Sequence, residues 1–581
     1  MKKNIFSLLA ASLFVLGINA QYCLAAPADG DDKQDDVVFR ALKDEMRRTV
    51  KRLKIGGYQP PYYTAYQVME TENYSASASF GSLTTNSYHK GRSLKVDVRE
   101  GDYTLDSWTP TGGSGESLTT DNDYDAIRHT VWLQTDEAFK AAVHSFASKK
   151  AYLQEHNIKD LTDSWSRETP VVAIEAPSSL NIDREKRSEN VRKLSAVFRK
   201  FPKVQRSTVR LDERAKTRWY INNEGFQNRT RKGEVLLSII ATAQVEGGGT
   251  VADAELIAGK EDGELPPYEE MEKRARALAE RVVKLAEAPE LEQYRGPIIF
   301  EGQAAADFFG DVLQANLGHS AETLGAPSFM SMSHGNPLAD KIGTKILPSF
   351  ISVVDDPLSK NFGKTPICST YDIDDDGMKA TRLNLVENGV LKTFAMSRAP
   401  SREIKQSNGH AVGGAGAASN LYIFAEKKLS PSKLKEKLIV LGKDDDLKEV
   451  LVVKRLTNLF VLGLDPKAAI TRLMSSMMGG SGVRLTPANE VYKVNLKDGK
   501  EQLVRTGAFT NVTLRVLRDI VAAGDDMKAY PMLGMNNVAL SRGSQLVSTV
   551  VTPSILIKEM ELQKPSKQSD LPTVLKNPNF E

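Results

Sequence analysis

Hydrophobic and polar positions along this 581-residue chain follow two periods, one typical of helices and one of strands. Apolar residues recur at helical spacing over Val37–Leu53, and a charged amphipathic helix is predicted from Pro266-Pro267 to Ala288. Further helices and strands are predicted in this half, at Thr135–Glu155 and Asp183–Lys200, and at Tyr62–Met69, Ser75–Phe80, Leu94–Arg99, Tyr103–Asp106 and within Ser207–Val245. This mixture of separate helices and strands predicts an α+β fold.

The segment Pro289–Gly296 is the best candidate for a domain boundary, because a predicted helix ends before it and a strand begins after it. A chain of this length is too long for one core. We therefore expect an N-terminal domain over 37–290 and a C-terminal domain over 295–562. Hairpin turns and a last strand pair are predicted in the second domain, at Asn388-Gly389, at Asp498-Gly499, and at Leu546–Val551 with Ser554–Lys558.

The segment Pro297–Asp311, with the sequence PIIFEGQAAADFFGD, carries the clearest local pattern. It predicts a short buried strand, Pro297–Phe300, that runs into an amphipathic helix. The apolar face of this helix is formed by Ala305, Phe308, Phe309 and Val312. A strand followed directly by a helix is a common way to position functional side chains at the end of a sheet.

This strand and helix, with the long segment after them, resemble the TldD/PmbA family, also called the modulator of DNA gyrase family. Similar patterns lie at Ser352–Asp356, Tyr371–Met396 and Ser407–Phe424. The resemblance implies a two-domain architecture, with a mixed α/β N-terminal domain and a β-rich C-terminal domain. The strand–helix segment then lies at the place of the family's metal site.

Active members of that family are zinc peptidases with an HExxxH motif on this helix, which supplies two imidazoles and a carboxylate that activates water. Alignment on Gly310-Asp311 puts Glu301 at the first His, Gly302 at the Glu and Ala306 at the second His. The family also uses a Cys near the C-terminal end, and Asn537–Gln545 contains none. The resemblance therefore implies that zinc is bound by an active partner and not by this chain.

A glycine-rich run, His410–Asn420, is the candidate for substrate binding. In the family the matching segment lies along the groove that holds peptide, which makes candidates of Gly413, Gly414, Gly416, Ser419 and Asn420. An extended peptide could add to the edge of the strand that follows. The alternative is a tight loop that serves packing alone, and the sequence leaves both open.

Two other patterns favour structural roles. Asp372, Asp374 and Asp376 before Gly377 imitate the start of a calcium loop, but the twelfth position is Leu383, where a bidentate Glu is needed. A structural turn is therefore favoured over a calcium site. Cys368 lies between apolar and small residues, which predicts a buried side chain and not a nucleophile.

The N-terminus predicts a secretory signal peptide over residues 1–25. Lys2-Lys3 precede an apolar stretch, Ile5–Ile18, and small residues offer cleavage after Ala20 or Ala25. We therefore expect a periplasmic or secreted protein. The formal charge is +3, and two of those charges lie in the leader, so no broad positive field attracts nucleic acid. No later segment predicts a membrane span, and a polar tail over 563–581 predicts disorder.

Two hypotheses about function follow. The first is a non-catalytic subunit that binds peptide and assembles with an active HExxxH-bearing TldD-like subunit or with itself. The second is a hydrolase with an altered active centre that uses Glu301, Asp307 or His319. In the first, the apolar stripe of the helix either completes this chain's own core or helps to present a dimer surface.

Overall fold

The computed structural model describes residues 36–54, 56–108, 115–246, 248–260, 262–321, 324, 336–462, 485–534 and 546–564. The predicted signal peptide, Asn537–Gln545 and residues 565–581 of the predicted tail lie outside this set. None of the described helices is both long and apolar enough to cross a membrane.

Seven strands of the N-terminal half form one antiparallel-rich sheet. They are β1 (Tyr63–Ser79), β2 (Ser82–Arg99), β3 (Glu116–Leu118), β4 (Val172–Ile174), β5 (Val204–Asn222), β6 (Gln227–Gln244) and β7 (Thr250–Gly259). Their order is β3-β2-β1-β5-β6-β4, and β7 also pairs with β6. The predicted strands Tyr62–Met69 and Ser75–Phe80 are one continuous strand, because β1 pairs along its whole length with β2.

The predicted strand Tyr103–Asp106 is wrong. The side chain of Asp102 accepts hydrogen bonds from the backbone N–H groups of Thr104 and Leu105, which closes a turn there. The buried ammonium group of Lys149 then donates to the carbonyl of Asp106 at 2.8 Å. An Asp side chain that competes with a ladder in this way favours a turn over a strand.

Four helices pack on this sheet: α1 (Val37–Arg52), α2 (Tyr124–Glu155), α3 (Arg184–Ala196) and α4 (Tyr268–Glu287). α2 begins earlier than the predicted start at Thr135, because the side chain of Asp123 caps it by accepting from the Ala126 N–H at 2.7 Å. The buried side of α4 includes Leu278, Val282 and Leu285, as the pattern predicts.

The C-terminal half is built from short strands in two larger sheets. Its strands are β8 (Tyr294–Phe300), β9 (Ile351–Asp355), β10 (Asn361–Phe362), β11 (Thr365–Pro366), β12 (Leu383–Glu387), β13 (Val390–Leu391), β14 (Ala411–Val412), β15 (Ala415–Gly416), β16 (Asn420–Ala425), β17 (Lys428–Leu429), β18 (Glu449–Leu456), β19 (Ala488–Asn495), β20 (Glu501–Val504), β21 (Phe509–Thr510), β22 (Ile520–Gly524), β23 (Lys528–Gly534), β24 (Leu546–Thr552) and β25 (Ile555–Leu562). Its helices are α5 (Gln303–Val312), α6 (Pro431–Asp444) and α7 (Leu459–Leu462).

The eight-stranded sheet has the order β17-β22-β25-β8-β18-β19-β20, with β21 on β25, and the six-stranded sheet has the order β13-β12-β9-β16-β24-β23. The predicted pairing of the last two strands is therefore wrong, because β24 and β25 belong to different sheets. Ser554, between them, donates from its N–H and its hydroxyl to Asp526, and this fixes the crossing. The α+β fold is confirmed.

Each of the three largest apolar clusters lies within one half of the chain. The largest core draws on residues from Leu291 to Leu562, and two others draw on residues from Val38 to Ala286. Smaller clusters, such as the one that joins Tyr63 to Ala399, connect the halves. The boundary at Pro289–Gly296 remains a prediction that agrees with this division.

Arg398 is a polar connection between the halves. Its side chain is fully buried, and its two terminal nitrogens donate to the carboxylate of Glu224 at 2.5 and 2.8 Å. One of them also donates to the carbonyl of Ser166 at 2.5 Å. The guanidinium lies over the rings of Trp165 and Phe226, 4.9 and 5.3 Å from their centroids. A cation from one half thus fills an aromatic, acidic socket in the other.

Candidate functional site

The predicted strand and helix at Pro297–Asp311 are confirmed. β8 lies between β18, which is parallel to it, and β25, which is antiparallel. Both faces of its apolar part are buried, because Ile298 and Phe300 belong to one core cluster and Ile299 to another. The chain turns at Glu301-Gly302 and enters α5 at Gln303. Gly302 has φ +55° and ψ −120°, a conformation that L-residues rarely adopt.

The three positions that align with HExxxH do not form a metal site. A Cβ on Gly302 would lie 3.2 Å from the hydroxyl of Tyr530, and Ala306 is fully buried. Glu301 is partly buried, and that burial raises the pKa of its carboxyl, against the opposing effect of Lys454. Among the described residues, no group of three or more His, Cys, Asp or Glu side chains could hold a metal ion. Zinc does not fit the residues present at these positions.

Asp307 is the buried acid of α5. One of its oxygens accepts from the side chain of Gln303 at 3.0 Å, and the other has no hydrogen-bond partner. Burial raises the pKa of Asp307 to about 7; Gln303 opposes the rise and Asp311 adds to it. The carboxyl is therefore held in a site that favours its neutral form.

Arg455 explains why this acid is not neutralised by an ion pair. The charge of Arg455 lowers the pKa of Asp307, but the guanidinium bonds to groups of β7. It donates to the carbonyl of Ala254 at 2.6 Å and pairs with Asp253 and Glu255 at 3.6 and 3.3 Å. Its charge is thus shared with two carboxylates of the N-terminal half.

The residues of the altered-centre hypothesis lie in different surroundings. The charged groups that most affect the pKa of Glu301 are Lys454, Glu501 and Asp526, whereas those that most affect the pKa of Asp307 are Asp311 and Arg455. His319 lies at the glycine-rich loop, with its ring nitrogen 3.1 Å from the carbonyl of Pro400. The altered-centre hypothesis therefore stays a prediction.

The apolar stripe of α5 packs inside this chain. Phe308 and Phe309 are fully buried, and the ring of Phe308 lies 5.3 Å from that of Phe300 and 5.4 Å from that of Phe309. Val312 and Leu313 are buried as well. The stripe completes the chain's own core, which is the simpler of its two predicted roles.

The glycine-rich loop forms the small hairpin β14–β15. Gly413 and Gly414 lie at its tip with φ of +64° and +91°, where glycine is favoured. Gly416 is required by packing, because a Cβ there would lie 1.9 Å from the carbonyl oxygen of Ala395. The packing alternative therefore holds for Gly416, and a substrate role for Gly413 and Gly414 stays a prediction.

Asp355, at the end of β9, anchors this loop, and it is not among the candidate residues predicted from the sequence. Its carboxylate accepts from the N–H and hydroxyl of Ser419 at 3.0 Å and from the N–H of Asn420 at 2.6 Å. It also lies 3.2 Å from a ring nitrogen of His410. The sequence does contain a signal for this role, because the apolar run Ser352–Asp356 ends in two acids. An acid that is buried at the end of an apolar strand needs hydrogen-bond donors from another part of the chain.

Ser419 and Asn420 are buried, and their polar atoms are used within the chain. The amide of Asn420 accepts from Thr549 N–H at 3.1 Å and donates to the carbonyl of Ser369 at 2.6 Å. β16 has β9 on one side and, over Asn420–Tyr422, β24 on the other. The predicted addition of a peptide to this strand is therefore wrong over that stretch, because both edges are already paired.

The acidic turn has a structural role, as predicted. Asp374 accepts from the N–H groups of Asp376 and Met378 at 2.9 and 2.8 Å and from that of Ala411 at 2.9 Å. Burial raises the pKa of Asp374 well above its ordinary value, and Asp376 adds to the rise. Cys368 is buried, and that burial raises the pKa of its thiol to about 11, so it is not an activated nucleophile.

Comparison with known proteins shows which family the C-terminal half resembles. A family model described as the PmbA/TldA metallopeptidase C-terminal domain matches residues 293–564, from the start of β8 to just after β25. The C-terminal domain of this chain therefore belongs to the TldD/PmbA family. A curated protein described as a metalloprotease, from Methanothermobacter thermautotrophicus, is 27% identical over 179 residues. The alignment covers 31% of this chain and 36% of that protein, about a third of each.

Solved structures extend the likeness in fold to both halves of the chain. TldE from Thermococcus kodakarensis and a candidate modulator of a DNA gyrase from Thermotoga maritima each have a TM-score of 0.56. Their identities are 15% and 16%, and each match covers 90% of this chain and 100% of the other. A similar protein from Bacteroides thetaiotaomicron has a TM-score of 0.55 at 12% identity. The N-terminal half therefore has the fold of these proteins as well.

Proposed function

We propose that this chain is a non-catalytic subunit of a heteromeric peptidase, which binds peptide and assembles with an active, HExxxH-bearing member of its family. The observation that carries the proposal is that α5, the helix that aligns with the family's HExxxH motif, lacks the residues of that motif. Glu301, Gly302 and Ala306 align with the positions where ligands and base are needed, and β8 and α5 lie within the residues that match the family's C-terminal domain. The strand and helix are retained without the metal-binding and catalytic residues, as expected for a subunit that supports a catalytic partner.

The proposal includes export. Lys2-Lys3 and the apolar stretch Ile5–Ile18 support a leader that would deliver the protein to the periplasm or the medium. The active partner would then have to share that compartment. N-terminal sequencing of protein from fractionated cells tests this, and an intact Met1 in the cytoplasmic fraction would contradict it.

The first experiment isolates the native complex from the source organism with an affinity tag on this chain. We expect a zinc-containing relative to co-purify, and peptidase activity to fall when this chain is deleted. The purified chain alone should contain no stoichiometric zinc and cleave no peptide. Chelator-sensitive cleavage by the isolated chain would overturn the proposal. Chelator-insensitive cleavage that is lost in Asp307→Asn would instead support the altered-centre hypothesis.

Restoring the motif residues is expected to fail as a rescue. In the variant E301H/G302E/A306H, the Glu would have to adopt the positive φ of Gly302, and the second His would overfill the site of a fully buried Ala306. Metal analysis should find no zinc at one per chain, and thermal unfolding should show a loss of stability. Gly302→Ala is the matched control for backbone strain and should cost roughly 1 kcal/mol by itself. Stoichiometric zinc with peptidase activity in the triple variant would contradict this prediction, because it would show that the site lacks only the three motif residues.

A further inference from the structure

The C-terminal end of α1 carries a concentration of positive charge. The stretch Arg47–Lys54 contains five basic residues and no acidic one. These five charges exceed the formal charge of +3 of the whole chain, so the rest of the chain is net negative. The helix dipole favours basic residues in the last turn, which here holds Lys51 and Arg52, and its effect does not extend to Arg47 and Arg48. The dipole alone therefore does not account for the cluster.

Helical geometry gathers the basic residues of α1 into one stripe. Lys43, Arg47 and Lys51 follow one another at four-residue spacing, which places them on the same side of the helix. The opposite side of α1 packs into a core of the N-terminal half. There the hydroxyl of Thr49 lies 2.7 Å from that of Tyr66 on β1. The basic stripe is therefore presented by a helix that is fixed to the body of the protein.

Three cations of this stretch are not neutralised by the described part of the chain. The two acids of α1, Asp44 and Glu45, pair with Arg47 and Arg48. The remaining three basic side chains are exposed and form no ion pair or side-chain hydrogen bond with any described residue: Lys51, Arg52 and Lys54. They are therefore available to an anionic partner.

Exposed apolar side chains flank the basic stripe. Val50 and Arg48 lie on opposite sides of it, because successive residues of a helix are 100° apart. Val50 leaves 49% of its surface exposed, and the guanidinium of Arg48 lies 6.0 Å from the ring centroid of Trp132 on α2, which is 43% exposed. Tyr58, just beyond the helix, is 51% exposed. Lys and Arg bind lipid phosphates, while Trp, Tyr and aliphatic side chains enter the headgroup region, so this combination fits a membrane surface. The backbone of a nucleic acid would use the charges and leave Val50 without a partner.

We propose that the basic stripe of α1 binds the surface of a membrane that contains anionic phospholipids. The exposed cations contact lipid phosphates, while Val50 and Trp132 enter between the headgroups. The apolar side of α1 stays in the protein core, so the association is peripheral and reversible. It weakens as salt is added, because the attraction is screened beyond about 8–10 Å at physiological ionic strength. The proposal does not depend on the catalytic state of the chain or on export, since the stripe lies on the N-terminal half and is tested with the purified protein.

Flotation with lipid vesicles tests the proposal on the purified mature protein, so that the apolar leader does not contribute. We expect binding to vesicles of equimolar phosphatidylcholine and phosphatidylglycerol, and none to vesicles of phosphatidylcholine alone. K51Q/R52Q/K54Q should lower the partition coefficient about a hundredfold, because three charges leave the contact surface. K427Q/K428Q/K433Q removes the same charge at exposed positions of the C-terminal half and should leave binding nearly unchanged. Circular dichroism and thermal unfolding establish that each variant is folded.

Tryptophan fluorescence tests the position of Trp132. Trp165 and Trp219 are buried, so anionic vesicles should shift the emission of Trp132 to shorter wavelength, and W132F should lose the shift. Binding without such a shift would contradict the insertion of Trp132. Absence of binding to the mixed vesicles at low salt, or an equal loss in the two triple variants, would overturn the proposal. Binding to duplex DNA but to no vesicle would overturn it as well, because the partner would then be a nucleic acid.

Discussion

Replacing Arg398 by alanine is expected to lower the free energy of unfolding by about 3–5 kcal/mol, the cost of breaking a buried ion pair from one side. The carboxylate of Glu224 would lose both of its guanidinium bonds and keep two weaker partners, Tyr103 and Asn222. The aromatic socket of Trp165 and Phe226 would also lose the cation that fills it. Chemical denaturation followed by tryptophan fluorescence measures the change, since Trp165 reports on the socket itself.

Arg402→Ala is the matched control for this prediction. Arg402 also pairs with an acid of the N-terminal half, Asp160 at 3.4 Å, but 72% of its side chain is exposed. Its loss should change stability by less than about 1 kcal/mol. The double variant R398M/E224Q removes both charges and should recover part of the loss, because no uncompensated carboxylate is left. Equal losses from Arg398 and Arg402 would show that burial of the pair does not matter.

Asp307→Asn is expected to stabilise the protein, and increasingly so as the pH rises from 5 to 7. The pKa of Asp307 is raised from 3.8 to about 7 in the folded chain, so folding favours the protonated form. The stability that this proton supplies is fully present below pH 3.8 and is lost as pH rises to about 7. An amide has the shape of the neutral acid and never ionises. The advantage of the variant should therefore grow by about 2 kcal/mol between pH 5 and pH 7 and level off above about pH 8.

Denaturant titrations of wild type and variant at a series of pH values give this difference directly. Effects of other buried acids cancel, because both proteins contain them. Asp525→Asn, on an exposed loop, replaces the same group by the same amide and should leave the pH profile unchanged. A constant difference between D307N and wild type from pH 5 to pH 8 would mean that Asp307 is ionised in the folded protein throughout.

Elements with a local cause could be predicted from the sequence. The Asn388-Gly389 hairpin has both residues at positive φ, which the dipeptide itself favours, and α5 follows its apolar spacing. The empty positions of the metal site were also readable, because they depend on residue identity alone. The backbone conformation of Gly302, which disfavours any other residue at that position, could not be predicted from the sequence.

Connections between distant parts of the chain could not be predicted. Arg398 and Glu224 are 174 residues apart, and nothing near either residue indicates the other. The same holds for Asp355 and the loop that it anchors 64 residues later. The predicted pairing of β24 with β25 failed for a related reason: neighbours in sequence are the default expectation, and tertiary packing placed the two strands in separate sheets.

The position of β8 has a consequence for how the chain is made. β8 is the first strand of the C-terminal half, yet its two neighbours are β18 and β25, which follow roughly 150 and 260 residues later. The central sheet cannot close, and α5 cannot be fully covered, until Ile555–Leu562 has been synthesised. Until then the apolar strand Pro297–Phe300 and the phenylalanines of α5 must be shielded by something other than their native partners.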